Sequence, residues 1–411
     1  MKELRRTKLS GLLLITNIFC VAACADADES LLDANRKVAY PAEQQVETVV
    51  KDEATTLSKA EAETYGTQLV AEWKDRLLED MAESFNKKQL TIGDKTMKLA
   101  WSIYGDKPQD GYALYISLHG GGGTTASENN GQWRNQQKLY QPDQAVYVSP
   151  RAIDNTWDMH FLPETDEFYH QIIMMTTAYL DVNPDKVYIM GYSAGGDGVW
   201  RLAPRMADYW AAASMMAGHP GDVSLVNLRN TPFSIWCGAE DSDYDRNLRC
   251  TERIQEMQSL HAADPDGYIY DGHIMEGKGH WMDGEDAVAV DWMAQYKRNP
   301  YPKRVVWQQE EVLHTDFYWL SAPASELERG KKVIADISGN TIDFTQCDYS
   351  MLTLSLNDKM LDLDKPVKVT LHGKTLFEGT VERKLSTLRA TLYGRNDPSY
   401  MFPAQILVRF E

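Results

Sequence analysis

The sequence predicts an α/β protein: a mainly parallel sheet with helices on both faces, followed by a small all-β module. Three observations point there. From about residue 96 to residue 298, strand-like apolar runs alternate with segments of helical periodicity, the pattern of a parallel sheet built from crossover connections. The cluster Asn299-Pro300-Tyr301-Pro302 then breaks the pattern, and short β-type runs separated by turn residues follow it. The chain of 411 residues is long enough for one large core and a smaller second one, and its 43% hydrophobic and 25% charged content is that of an ordinary globular protein.

The first segment is for targeting. Lys2, Arg5, Arg6 and Lys8 precede an apolar run from Gly11 to Ala22 that is too short to span a bilayer. Val21-Ala22-Ala23-Cys24 follows, and resembles the lipobox of bacterial lipoproteins. The resemblance implies an exported protein of the cell envelope, periplasmic or at the outer membrane or cell surface, with a lipid anchor on Cys24. Ordinary signal-peptide cleavage and secretion is the alternative. Residues 1–23 are then a removed leader and residues 24–53, acidic and aperiodic, a flexible tether. A formal charge of -18 argues against a nucleic-acid partner, which normally needs a basic face.

Residues 54–86 carry Ala60, Tyr65, Leu69, Trp73, Leu77 and Met81 at helical spacing, predicting a helix packed outside the core. Strands are expected at 97–104, 112–118, 145–149, 186–190, 211–216, 233–237 and 267–275. Helices are expected near 132–140, 167–180, 196–206, 246–261 and 283–298, closing a first domain over 54–300. In the tail, 303–411, β-type runs at 305–308, 317–320, 333–336, 352–356, 367–371, 388–393 and 406–410 predict a β-sandwich-like module. Three cysteines remain past the leader: Cys237, Cys250 and Cys347. Export permits a Cys237–Cys250 disulfide, with a buried thiol as the alternative for Cys237. No C-x-x-C or H-E-x-x-H spacing occurs, so neither metal nor cofactor is expected.

Gly191-Tyr192-Ser193-Ala194-Gly195-Gly196 stands between an apolar strand and a helix. A sharp strand-to-helix turn holds its serine strained and exposed, and a Cβ at position 191 or 195 would crowd the neighbouring backbone. Earlier in the chain, the strand ending at Leu118 runs into His119-Gly120-Gly121-Gly122-Gly123. Glycines leave backbone N–H groups uncovered, as an oxyanion site needs. A phosphate cradle would end in G-K-[ST], which is missing here. An acid and then a histidine are expected downstream of the serine. Asp241, in the turn after Phe233–Cys237, is the selected acid, with Glu240, Asp243 and Asp245 as neighbours of the same type. His280, in the glycine-bounded Gly277-Lys278-Gly279-His280-Trp281, is the selected base in preference to His261 and His273.

These roles give a serine hydrolase. His280 removes the Ser193 proton as the serine attacks an acyl carbonyl, Asp241 orients the imidazole, and the N–H of Ala194 with that of Gly121 or Gly122 binds the oxyanion before water releases the acyl group. Residues 96–298 resemble the α/β-hydrolases, in particular the poly(3-hydroxybutyrate) depolymerase and feruloyl esterase group, some members of which are described as peptidases. The resemblance rests on Leu118-His119-Gly120-Gly121, the 191–196 elbow, Gly238 with Asp241, and Gly279-His280-Trp281. It covers about half of the chain and implies the α/β-hydrolase fold.

Trp157, Tyr192 and Trp281 are candidates for the substrate pocket, and Trp200 and Trp210 for packing. Arg151, Asp158 and His160 either meet a polar substrate or belong to surface loops. The leading expectation is a carboxylic ester hydrolase acting on a small-molecule or polymer substrate, including an acyl ester on a polysaccharide. A serine peptidase of the same fold and a noncatalytic polymer-binding lipoprotein are the alternatives.

Overall fold

The computed structural model describes residues 56–410; the leader, Cys24 and the tether lie outside them. The described residues form one compact unit. It opens with a short strand β1 (Thr56–Leu57) and helix α1 (Lys59–Asp80). Ser58 caps that helix: its hydroxyl accepts from the Glu61 N–H, and the Glu61 carboxylate accepts the Ser58 N–H in return. After α2 (Ala82–Lys87), the chain alternates as β2 (Gln89–Ile92), β3 (Lys95–Tyr104), β4 (Tyr112–Leu118), α3 (Ala126–Gln136), β5 (Ala145–Arg151), α4 (Thr165–Leu180) and β6 (Val182–Tyr192). It continues through α5 (Ala194–Arg205), β7 (Ala212–Met216), β8 (Phe233–Gly238), α6 (Arg246–Ala263), β9 (Tyr270–Met275) and α7 (Val288–Met293).

Eight strands form one sheet in the order β2-β3-β5-β4-β6-β7-β8-β9. β3 runs antiparallel to both of its neighbours, and all pairs from β5 to β9 are parallel. This is the α/β-hydrolase fold. The central strands are apolar because both faces are covered: Leu114, Ile116 and Leu118 enter one core with Val187 and Ile189, while Tyr115 enters the other with Tyr188 and Met190. The parallel strands end on one edge, so the loops after β4 to β9 gather there.

Two further sheets follow. One orders Arg304–Gln308, Lys332–Ser338, Thr341–Cys347, Val367–Leu371 and Lys374–Gly379; the other orders Asp316–Phe317, Leu320–Ser321, Met351–Leu356 and Ala404–Arg409. Val305, Trp307, Phe344, Leu354 and Val408 belong to their shared core. The tail is nevertheless not all-β. Residues 388–393, expected as a strand, lie in helix α8 (Leu385–Arg395), because Leu385, Leu388 and Leu392 fall on one helical face and join Leu69, Trp73 and Leu77 of α1 in the main core. Trp73 Nε1 donates to Asn396 Oδ1 at 3.2 Å, and β1 pairs with Arg383–Lys384. The boundary suggested near residue 300 is thus crossed by core packing. The helix expected over 283–298 is shorter, with a 3₁₀ turn before α7, since Asp283 and Gly284 take φ of 54° and 76°.

Candidate active site

Ser193 occupies the turn between β6 and α5, with φ 58° and ψ -121°, and its N–H donates to the Met216 carbonyl at 2.9 Å. That conformation is strained for a residue with a Cβ, and the close packing around it holds it in place. A Cβ on Gly191 would come within 2.3 Å of the Gly195 carbonyl oxygen, and one on Gly195 within 2.1 Å of that of Leu118. Both elbow glycines are therefore required by backbone approach.

The structure brings Ser193, His280 and Asp241 together. His280 Nε2 is 3.0 Å from Ser193 Oγ, and His280 Nδ1 is 2.7 Å from Asp241 Oδ2. An ionised carboxylate only accepts, so Nδ1 carries the proton and Nε2 is left to accept from the serine hydroxyl. Asp241 has 2% of its side chain exposed and His280 39%, which places the acid beneath the base and the base at the surface. Tyr192 donates its hydroxyl to the His280 carbonyl at 2.6 Å, anchoring the loop that carries the imidazole. Asp243, one of the alternative acids, accepts from Arg246 through its backbone carbonyl, and His273 pairs with Asp271.

Of the three backbone donors expected around the oxyanion, the structure reassigns one. Gly122 N–H donates to Asn129 Oδ1 at 2.9 Å, so it closes the glycine loop and is not open to an anion. The N–H groups of Ala194 and Gly121 donate to no such partner among the described residues. Gly121 has φ 110°, a conformation glycine tolerates, and the loop lies against the elbow: a Cβ on Gly120 would be 3.3 Å from Ser193 Cβ.

His119, Arg151 and His160 support this loop from below. Ala152 N–H donates to His119 Nε2 at 3.2 Å, so Nδ1 bears the proton given to the Gly120 carbonyl at 2.7 Å. Burial pushes the His119 imidazole down to about 4, which keeps it neutral. His160 Nε2 lies 2.7 Å from the His119 carbonyl, and burial lowers its basicity too. Arg151 donates to Asn130 Oδ1, to the Ala152 and Asp154 carbonyls and to Asn155 Oδ1; Asn155 Oδ1 also accepts from Asn129. Arg151 and His160 are therefore buried scaffold, out of a substrate's reach. The role of Asn129 was missed from sequence because a polar residue on a helix normally faces water; only its complete burial marks it.

Two exposed tryptophans lie on the loops around the site. Trp157 is 63% exposed and lies over Phe161, with its backbone 3.3 Å from where a Cβ on Gly122 would be; Trp281 is 51% exposed with its edge on Tyr192. Trp200 and Trp210 are fully buried. Asp197, one turn into α5, accepts the His219 N–H at 2.6 Å, and burial pushes its carboxyl up to about 6. Cys237 and Cys250 are buried free thiols. Among the described residues no group of His, Cys, Asp or Glu is arranged to hold a metal ion, and no helix is long and apolar enough to cross a membrane.

No protein-family profile and no curated protein matches the chain. Solved structures of similar fold include a thermostable esterase, 20% identical with a TM-score of 0.40 over 51% of this chain and 64% of that one. Others are poly(3-hydroxybutyrate) depolymerase LpqC from Bordetella parapertussis (16%, TM-score 0.37, 50% and 86%) and a mutant feruloyl esterase module from Clostridium thermocellum complexed with sinapinate (15%, TM-score 0.35, 51% and 86%). The chain thus spans less than two thirds of the thermostable esterase. The fold assignment stands on the strand order of this chain itself.

Proposed function

We propose that the protein is an exported serine hydrolase that cleaves a carboxylic ester through an acyl-enzyme. The observation that carries this reading is the continuous hydrogen-bond chain from Ser193 Oγ through His280 to the buried Asp241, set at a strained turn. Ser193 attacks the ester carbonyl as His280 Nε2 takes its proton. His280 then returns that proton to the departing alcohol, and Asp241 stabilises the imidazolium in between. The N–H groups of Ala194 and Gly121 receive the charge that develops on the carbonyl oxygen. Each such donor lowers the barrier by about 3 kcal/mol. Water deacylates the serine by the same route in reverse.

The finer substrate reading is an acyl ester on a polysaccharide. It is supported by Trp157 and Trp281, exposed rings beside the glycine loop and next to His280 that offer apolar faces to a sugar. The envelope location with a lipid on Cys24 rests on the N-terminal sequence alone. Fluorophosphonate labelling of wild type and of Ser193→Ala tests the nucleophile. Turnover of p-nitrophenyl esters, acylated oligosaccharides and peptide amides, side by side, then ranks the substrates. Labelling that survives in Ser193→Ala refutes the assignment, and faster turnover of peptide amides than of any ester replaces the esterase with a peptidase.

A further inference from the structure

The acid in the hydrogen-bond chain has a second oxygen, and its environment is unusual. Asp241 Oδ2 faces His280, while Oδ1 meets the Arg246 guanidinium, with NH1 at 3.5 Å; among the described residues no other donor reaches Oδ1. The loop is folded to make this possible. Tyr244 and Asp245 both take φ of 57°, which turns the chain back so that Arg246, the first residue of α6, lies beside Asp241. Asn247 locks the turn by donating its N–H to the Asp241 carbonyl at 3.0 Å and its amide to the Ala239 carbonyl at 2.7 Å. The guanidinium is largely buried; it donates to the Asp243 carbonyl at 3.4 Å and lies 5.0 Å over the Tyr244 ring, and its Nε has no partner.

Resting on the serine-hydrolase reading above, we propose that Arg246 is a positioning residue for the acid–base pair: its charge compensates the buried Asp241 carboxylate and opposes protonation of His280, so that the base stays free at lower pH. A carboxylate this deeply buried and held only by a neutral imidazole would be an uncompensated charge, which a low-dielectric site disfavours. With Arg246 present, the resting Asp241–Arg246 pair is neutral, and a proton on His280 adds net positive charge. Remove the arginine, and the bare carboxylate draws a proton onto His280 before catalysis begins.

Other groups face this pair. Asp197 approaches from α5, His219 from the loop after β7, Tyr192 from β6, Asp243 from the acid loop, and the Cys237 and Cys250 thiols from β8 and α6. The carboxyl of Asp197 feels both Arg246 and His280, and the imidazole of His219 is lowered first by burial and next by Arg246, so the arginine's field reaches across the site. Asp197 acts in the opposite sense; Arg246 also favours its ionised form, so Arg246→Gln keeps it protonated to higher pH and offsets part of the rise at His280.

The test is the pH dependence of kcat/KM for p-nitrophenyl acetate in full-length wild type, Arg246→Gln and Arg246→Lys, with the thermal midpoint of each recorded. Arg246→Gln is expected to move the acid limb up by about 1 pH unit and to lower kcat about tenfold, whereas Arg246→Lys keeps the limb within about 0.3 units of wild type. An unchanged limb in a folded Arg246→Gln, or an upward shift in Arg246→Lys as large as in Gln, overturns the proposal. If Arg246→Gln does not fold, the neutral Arg246→Met takes its place under the same criterion. Ser193→Ala is measured in parallel. If it retains turnover, the serine-hydrolase reading falls and this proposal with it; if it is inactive and the Gln limb has not moved, only the role of Arg246 is lost.

Discussion

The eight-stranded body and the C-terminal region bury their polar groups for different ends. In the body, charged and polar residues gather at one edge of the sheet, where Asp241, His280 and the glycine loop face Ser193. In the C-terminal region they face inward, toward the body. Arg205 of α5 pairs with Asp166 and Glu311, and His314 reaches the same Asp166 at 3.0 Å. Arg298 binds Asp185 and Asp397, and Arg395 binds Asp208. The Asn227 side chain joins the Gln308 backbone through both its amide groups. The tail supplies no member of the hydrogen-bond chain at Ser193, yet its ion pairs are among the most buried in the molecule. The difference teaches that the proposed chemistry lies in loops on a preformed edge, while the tail's polar residues secure the helices that hold those loops.

The sharpest break in this comparison is Ser193→Ala. Ester turnover is expected to fall by about four to six orders of magnitude with the thermal midpoint essentially unchanged, as measured by steady-state kinetics alongside calorimetry. A large drop in stability would mean that the elbow serves the fold as much as the chemistry.

The complementary experiment removes a docking charge. Asp208→Ala leaves Arg395 largely buried without its carboxylate and takes an acceptor from the Tyr318 N–H, so urea unfolding should show a loss of about 3–5 kcal/mol. The folded fraction should retain wild-type kcat. A loss below about 1 kcal/mol would demote the tail's ion pairs to surface ones.

Glu310 sharpens the contrast through pH. It is buried beside Glu311, and burial first, then that neighbour, pushes its carboxyl from 4.5 up to about 7. The folded state therefore holds a proton that the unfolded chain releases. This contribution is fully present below about pH 4.5 and is lost as pH rises through about 7. Glu310→Gln should flatten the fall in stability over that window, gaining at most about 3 kcal/mol at pH 8 relative to wild type. Parallel pH–stability curves for the two proteins would contradict it.

The smallest effect expected is at Asn129. Replacing it with alanine frees the Gly122 N–H and loosens the glycine loop, which should lower kcat about tenfold with little change in KM. Unchanged kcat would show that the loop is held by His119 and His160 alone.

Much of the site was legible because its residues are tied to local backbone requirements. The 191–196 elbow and the His119–Gly123 run announce themselves by glycines that close backbone approach demands. His280 stands in a glycine-bounded loop, and Asp241 at a strand end. Asn129, Asn155 and Arg246 carried no such signal, since each is an ordinary surface-type residue in the sequence and finds its partner only in three dimensions. In the tail, Leu388–Tyr393 passes for a strand as a short apolar run, and only the wider spacing of Leu385, Leu388 and Leu392 separates helix from strand.

What the sequence determined by itself is the alternation of strands and helices, the strained turn at Ser193 and the order of serine, acid and histidine, because these depend on local periodicity and on where glycine must stand. Tertiary structure alone decided that Gly122 closes the loop, that Arg246 rests on Asp241, and that α8 completes the core beside α1. Those facts depend on which distant side chains share a buried space, where each polar atom must find its partner.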